Sequence, residues 1–209
     1  PFGDLGLSQG LVANVLGEVG GDGPGEPDVF ITHSDSQTVN PGGSVACGSS
    51  AAGYTTENAY FRDFDLAQDF GIFNEFEVMQ AEFAMQTVGA ANHPVTVNVY
   101  SLSGSAPLSS SFGEAVLQGT ANYNVNPTDE GTVVNVPVSA MIPAGDRLVF
   151  EIFLSTGQDV EAQFRIGVND LGQTDATYLA SASCGLVDPT DVATIGPFGD
   201  MHVVMNILG

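Results

Sequence analysis

The sequence predicts an all-β protein: an antiparallel β-sandwich, jelly-roll-like, of about ten strands, preceded by an extended N-terminal arm. Three observations carry this. Apolar residues recur in short alternating runs across residues 28–209. Clusters of Gly and Pro break these runs at intervals suited to a sandwich or barrel. No βαβ rhythm and no tandem repeat of fixed period is found.

The arm comes first. In "LGLSQGLVANVLGEV", Leu5, Leu7, Leu11, Ala13, Val15 and Val19 occupy odd positions, interrupted by Gln9 and Gly17. That is close to the period of a strand with one buried face. "GGDGPGEPD" follows, with the Gly, Pro and acid composition of a linker. Residues 1–27 therefore read as strand arm and linker, and residues 28–209 as the sandwich domain.

"DVFITHS" reads as the first strand of the body and "VNPGGS" as a turn. "NAYFRDFDL" is an aromatic-rich strand, and "AQDFGIF" an irregular or short helical connection. In "FEVMQAEFAMQTV", Phe76 and Val78 share one phase, and Met79, Ala81, Phe83 and Met85 share the other. This change predicts a bulge, or a bend between sheets. The helix formers in "MQAEFAMQ" make a helix the rival, and the flanking strands favour a strand. "HPVTVNVYSLSG" alternates cleanly, "GSAPLSSS" reads as a loop, and "GEAVLQGTANYNV" as a strand with an interior Gly. "TVVNVPVSAMIPAGDRLVFEIFL" is strand, turn and strand, with Pro137 marking an edge or bulge. "VEAQFRIGVN" and "ATYLASAS" are strands, "DPTDVATIGPFGD" a loop, and "MHVVMNIL" the closing strand.

Charge narrows the function classes. Lys+Arg number 3 against Asp+Glu 25, for a formal net charge of -22. There is no Lys; Arg62, Arg147 and Arg165 are the whole basic complement besides His. Such a polyanion is not expected to bind nucleic acid or an anionic membrane surface. No run of about 20 apolar residues exists, so no membrane span is expected. Salt or bound cations would screen the self-repulsion.

Cys47 and Cys184 are the only cysteines. Two cysteines allow a single connectivity, so a disulfide joining distant parts of the chain is expected, with two buried thiols as the alternative. A disulfide implies an oxidising, extracellular setting. His33, His93 and His202 stand at no recognisable zinc spacing and read as isolated strand or turn residues.

The strings "AYFRDFDL", "PVTVNVYSLSG", "IPAGDRLVFEIF", "GQTDATYLASASCG" and "PTDVATIG…MHVVMNILG" resemble a poorly characterised β-sandwich module of secreted bacterial proteins. The resemblance covers roughly residues 28 to 208. It implies an extracellular jelly-roll-like sandwich and a Cys47–Cys184 pair, and supplies no activity. The arm lies outside it.

No catalytic signature is present: no G-x-S-x-G, no P-loop, and no carboxylate pair that stands out among 25 acids. The chain is expected not to be an enzyme. Calcium is the cofactor suggested, because Asp22, Asp28, Asp170, Asp175, Asp188 and Asp191 sit in loops rich in Gly and Pro carbonyls. None of these loops follows an EF-hand pattern; solvated acidic loops are the plain alternative. Glycan binding would need aromatic platforms; five Tyr and no Trp are available.

An isolated amphipathic strand is unstable in water. The arm therefore docks on its own domain, forms a helix, or inserts into the sheet of a neighbouring copy. Insertion, repeated head to tail, makes a filament. The leading expectation is a non-enzymatic structural subunit of an extracellular filament or cell-surface assembly, with copies of itself as partners. A glycan-binding or adhesive accessory module of a secreted protein is the alternative.

Overall fold

The computed structural model describes residues 28–49, 51–196 and 198–209; the expected donor residues Leu5, Leu7, Leu11, Ala13, Val15 and Val19 lie outside them. The described chain is an all-β antiparallel sandwich, as expected. One sheet is centred on β5 (Phe76–Val88). β8 (Thr132–Ile142) pairs along one side of it, and β15 (Met205–Leu208) and β10 (Phe164–Ile166) share the other. β1 (Phe30–Thr32) adds to β15 as the outermost strand. The second sheet runs β13 (Leu186–Asp191), β12 (Tyr178–Ser181), β4 (Asn58–Phe64), β9 (Arg147–Leu154), β6 (His93–Leu102), β7 (Val116–Val125). The inner faces bury one core, including Tyr60, Phe83, Val97, Phe150, Phe164 and Ile207.

The phase change in β5 is a bulge. Its register against β8 shifts between Val78 and Gln80, and Gln80 faces Pro137. Pro137 is tolerated because β8 pairs on one side only. The free sides of β7 and β8 come together to close one flank of the sandwich. Here the interior glycine is required, since a Cβ on Gly119 would collide with the Ser139 carbonyl.

The strand count rises to fifteen among the described residues, because two expected strands are each broken in two and β2 (Gly48–Ser49), β3 (Tyr54–Thr55) and β13 are added. The break has one cause. Gly167 N–H donates to the Ala84 carbonyl (2.6 Å), Ala84 N–H to Val204 (3.0 Å), and Val204 N–H to Gly167 (3.0 Å). This ring of backbone hydrogen bonds ends β10 and β15 against β5. Beyond it the two chains peel away as the ladder of β11 (Val168–Asn169) and β14 (His202–Val203). Only glycine fits at 167, where a Cβ would run into Ala84.

Two loop expectations are corrected. "GSAPLSSS" contains a short helix, α2 (Leu108–Ser111), because Leu108 is buried on the outer face of the second sheet with Phe61, Leu102 and Val149. A single apolar residue in a polar run leaves no periodicity to read. Residues 188–191 of "DPTDVATIGPFGD" belong to β13, an edge strand that accommodates Pro189. α1 (Leu66–Phe70) fills the expected connection, with the Asp65 side chain accepting from Gln68 N–H. No helix of the described residues is long and apolar enough to cross a membrane.

Cys47 and Cys184 form the disulfide, with a Cα–Cα distance of 5.9 Å and a separation of 137 residues. Asn58 holds the Cys47 side: its Oδ1 accepts from Cys47 N–H (2.6 Å) and its Nδ2 donates to the Cys47 carbonyl (3.1 Å). A bridge across so long a loop strongly restricts the unfolded chain. The double variant Cys47→Ser/Cys184→Ser is expected to lose roughly 2–5 kcal/mol in urea unfolding. An unchanged midpoint would show that the bridge contributes nothing to folding stability.

Candidate functional site

The site begins with an anomaly in β4. Alternation sends Tyr60, Arg62 and Phe64 to the inner face, and Arg62 is fully buried there. No carboxylate lies within ion-pair distance of it among the described residues. Its hydrogen bonds go mostly to backbone: Nη1 donates to the Asp175 carbonyl (2.6 Å), and Nη2 to the Val203 carbonyl (2.7 Å) and Gln173 Oε1 (2.8 Å). Burial lowers its pKa to about 10, so it stays charged at neutral pH. The branching of β11–β14 presents Val203, and the loop after β11 wraps over the guanidinium and brings Gln173, Thr174 and Asp175 to it.

That loop meets the end of β4 and the start of α1 around a cavity of about 250 Å³. Asp63, Asp65, Gln68, Asp69, Ser105, Arg147 and Asp175 line it. Asp63 is on the opposite face of β4 from Arg62 and pairs through Oδ2 with Arg147. Arg147 also donates to the Gly104 carbonyl (2.9 Å) and the Ala106 carbonyl (2.8 Å), holding the strap that leads to α2. Asp63 Oδ1 is buried without a hydrogen-bond partner. Burial raises the Asp63 pKa to about 6, against the Arg147 charge and with added repulsion from Asp175, Asp65 and Asp69. Asp69 is also raised, first by burial and then by Asp65 and Asp175.

His33 completes the group. Its ring stacks on Phe64 (centroids 4.9 Å, interplanar angle 13°) and leans on Phe70. Nδ1 lies 2.8 Å from Thr174 Oγ1. Nε2 stands 3.9 Å from Asp69 Oδ2 and 4.0 Å from Asp175 Oδ2, beyond hydrogen-bond reach of both. It has no partner among the described residues. Burial, then the Arg62 charge, lowers the His33 pKa to about 4, so the imidazole is neutral at pH 7. Chemically, the arrangement offers carboxylate oxygens and one imidazole nitrogen, which are ligands for a cation; the nearby hydroxyls are Ser105 on the lining and Thr174 beside Nδ1.

Of the acids expected to bind calcium, only Asp175 joins this group. Asp22 lies outside the described residues. Asp28 is exposed beside β1, its N–H donating to the Gly209 carbonyl (3.1 Å). Asp170 is exposed at the turn after β11. Asp188 and Asp191 line a separate open cleft along β13 with Ser109, Val187 and Pro189. His33, Asp63, Asp65 and Asp69 were missed as a group. "DFDLAQD" places three of the acids around one helix start, but His33 and Thr174 are 141 positions apart, so no spacing joins them. His93 Nε2 comes within 3.3 Å of Ser155 Oγ, but it also meets the Ser155 carbonyl, and its ring stacks on Phe164. No carboxylate orients that ring among the described hydrogen bonds, so the pair lacks the third member of a triad.

No family model and no curated protein matches the chain. The functional reading rests on this geometry and on the sequence.

Two outcomes follow. Arg62→Met would leave two buried carbonyls and Gln173 without their donor. It is expected to cost about 3–5 kcal/mol, with hydrogen exchange rising most at residues 173–177. Uniform loss of protection would contradict a local anchoring role. The second concerns pH, with metal chelated throughout. Asp63 rises from 3.8 to about 6 on folding, so its contribution is present at low pH and is lost as pH climbs through about 6. His33 falls from 6.5 to about 4, so its contribution is present above 6.5 and is lost as pH falls through about 4. The two oppose each other. Between pH 4.5 and 6.5, urea unfolding of Asp63→Asn should gain stability with pH relative to the parent, and His33→Gln should lose it. Parallel slopes for all three proteins would refute the opposing pair.

Proposed function

We propose that the protein is a non-enzymatic structural subunit of an extracellular filament or surface assembly, joined by donation of the strand at residues 5–19 to a neighbouring copy. The observation that supports it is where the arm enters the body. β1 is the terminal strand of its sheet, paired only with β15. Phe30 on it and Val29 just before it are 48% and 38% exposed. Asp28 and Val29 both donate to the Gly209 carbonyl, so the root of the arm is clamped at this edge.

An open edge bearing exposed apolar residues is a site for strand addition. A donor carrying six apolar side chains gains ~1.5 kcal/mol or more for each large one buried, up to ~10 kcal/mol before ordering costs. Donor arm and acceptor edge are different segments of the chain, so a contact repeated head to tail is heterologous and propagates. The disulfide suits an oxidising exterior. Glycan binding gains no comparable support: Tyr60 is buried, and Tyr54, Tyr100, Tyr123 and Tyr178 are half-buried, so none offers an open platform.

Negative-stain microscopy and size-exclusion chromatography test this directly. The full chain should form fibres or a concentration-dependent ladder of oligomers, and removal of residues 1–20 should leave monomers. A full chain that stays monomeric at high concentration would end the assembly reading.

A further inference from the structure

We propose that His33, Asp69 and Asp175 form a binding site for a divalent first-row transition ion of the zinc class, with Asp63 and Asp65 supplying charge at its margin. The proposal is independent of the assembly reading. Its starting point is the His33 ring, which is only 4% exposed and yet leaves Nε2 without a hydrogen bond. Buried polar atoms are almost always paired, so an orphan aimed at two carboxylates needs an explanation.

The ring's orientation supplies one. Nδ1 lies 2.8 Å from Thr174 Oγ1; in the tautomer whose Nδ1–H donates to that hydroxyl, the Nε2 lone pair faces Asp69 and Asp175. A lone pair and two carboxylate oxygens then face one another with no proton between them. A bound cation makes that arrangement favourable. A metal-bound imidazole has its other nitrogen held by a hydrogen-bonding oxygen, as Thr174 Oγ1 holds Nδ1 here. Asp175 is fixed in turn, because Arg62 grips its carbonyl.

The spacing fits after a small closure. The candidate donor atoms lie within 4.8 Å of one another. Ligands on a tetrahedral zinc-sized ion stand about 3.4 Å apart. Asp69 and Asp175 are 40% and 50% exposed at the side chain, so each is free to turn inward by the ~1 Å required while His33 stays fixed. The adjoining cavity leaves room for water to complete the coordination shell. The ring nitrogen decides the class of ion, since calcium and magnesium take oxygen ligands and imidazole suits zinc and its neighbours. The same fold that buries Arg62 therefore also builds the polar face opposite it.

The test uses the full chain, stripped with chelator and titrated with Zn²⁺ by calorimetry at pH 7, with Ca²⁺ titrated separately. One tight Zn²⁺ site per chain is expected, with a rise in Tm on binding. His33→Gln and Asp69→Asn should each weaken that site at least tenfold, and Asp188→Asn, in the separate cleft along β13, should leave it unchanged. Asp69 is on the surface, so its variant keeps the test alive if His33→Gln fails to fold. Co²⁺ substitution should give visible bands of a nitrogen- and oxygen-liganded ion, lost in Asp69→Asn. Zn²⁺ binding that is equal in the parent and Asp69→Asn, or a Ca²⁺ response as tight as that to Zn²⁺, would overturn the proposal.

Discussion

A fully buried guanidinium, held largely by main-chain carbonyls, is the constraint around which one end of this sandwich is built. Arg62 sits where alternation along β4 demands an apolar residue. Removing a charge from water is costly, and it is offset here by three acceptors drawn from two different segments. Those segments are the loop at Gln173–Asp175 and the strand at Val203. Both reach Arg62 because the sheet branches at Ala84, where the ring of hydrogen bonds through Gly167 and Val204 turns two strands out of register. Packing at a bulged, forked sheet and the desolvation of one arginine are thus a single structural problem with a single solution.

The same economy governs the other cations. Arg147 pairs with Asp63 and also grips two carbonyls of the strap before α2. Arg165 donates to the Ser44 carbonyl (3.1 Å) and to Gln163 Oε1 (3.3 Å). Each of the three arginines therefore ties an irregular segment to the sandwich, and none sits in a surface network neutralising the acids. Most of the net charge of -22 is left uncompensated, and screening and bound cations must manage it. At the end of β4, burial first and then the crowding of Asp63, Asp65, Asp69 and Asp175 push two of these carboxyls, Asp63 and Asp69, upward.

The strands were legible because burial on one face writes a period of two into the chain. The bulge in β5 could be read from the phase change at Met79, since an extra residue moves every later side chain to the other face. Pro137 marked an edge for the simple reason that it has no N–H to donate. The helix α2 and the strand β13 were not legible. Leu108 is a lone anchor whose partners, Phe61 and Val149, come from other strands. β13 carries Pro189 and an exposed Val187 within a polar edge, so its burial pattern has no alternation to detect.

The sequence by itself determined the fold class, the one possible cysteine pairing and the excess of acids, because these follow from local periodicity, a cysteine count and a charge sum. The tertiary structure decided which of many acids matter. Asp175 meets His33 and Asp69 only because the forked sheet and Arg62 carry a distant loop across to the start of α1. A ligand set is a property of positions in space. When its members are separated by most of the chain, no spacing in the sequence encodes it.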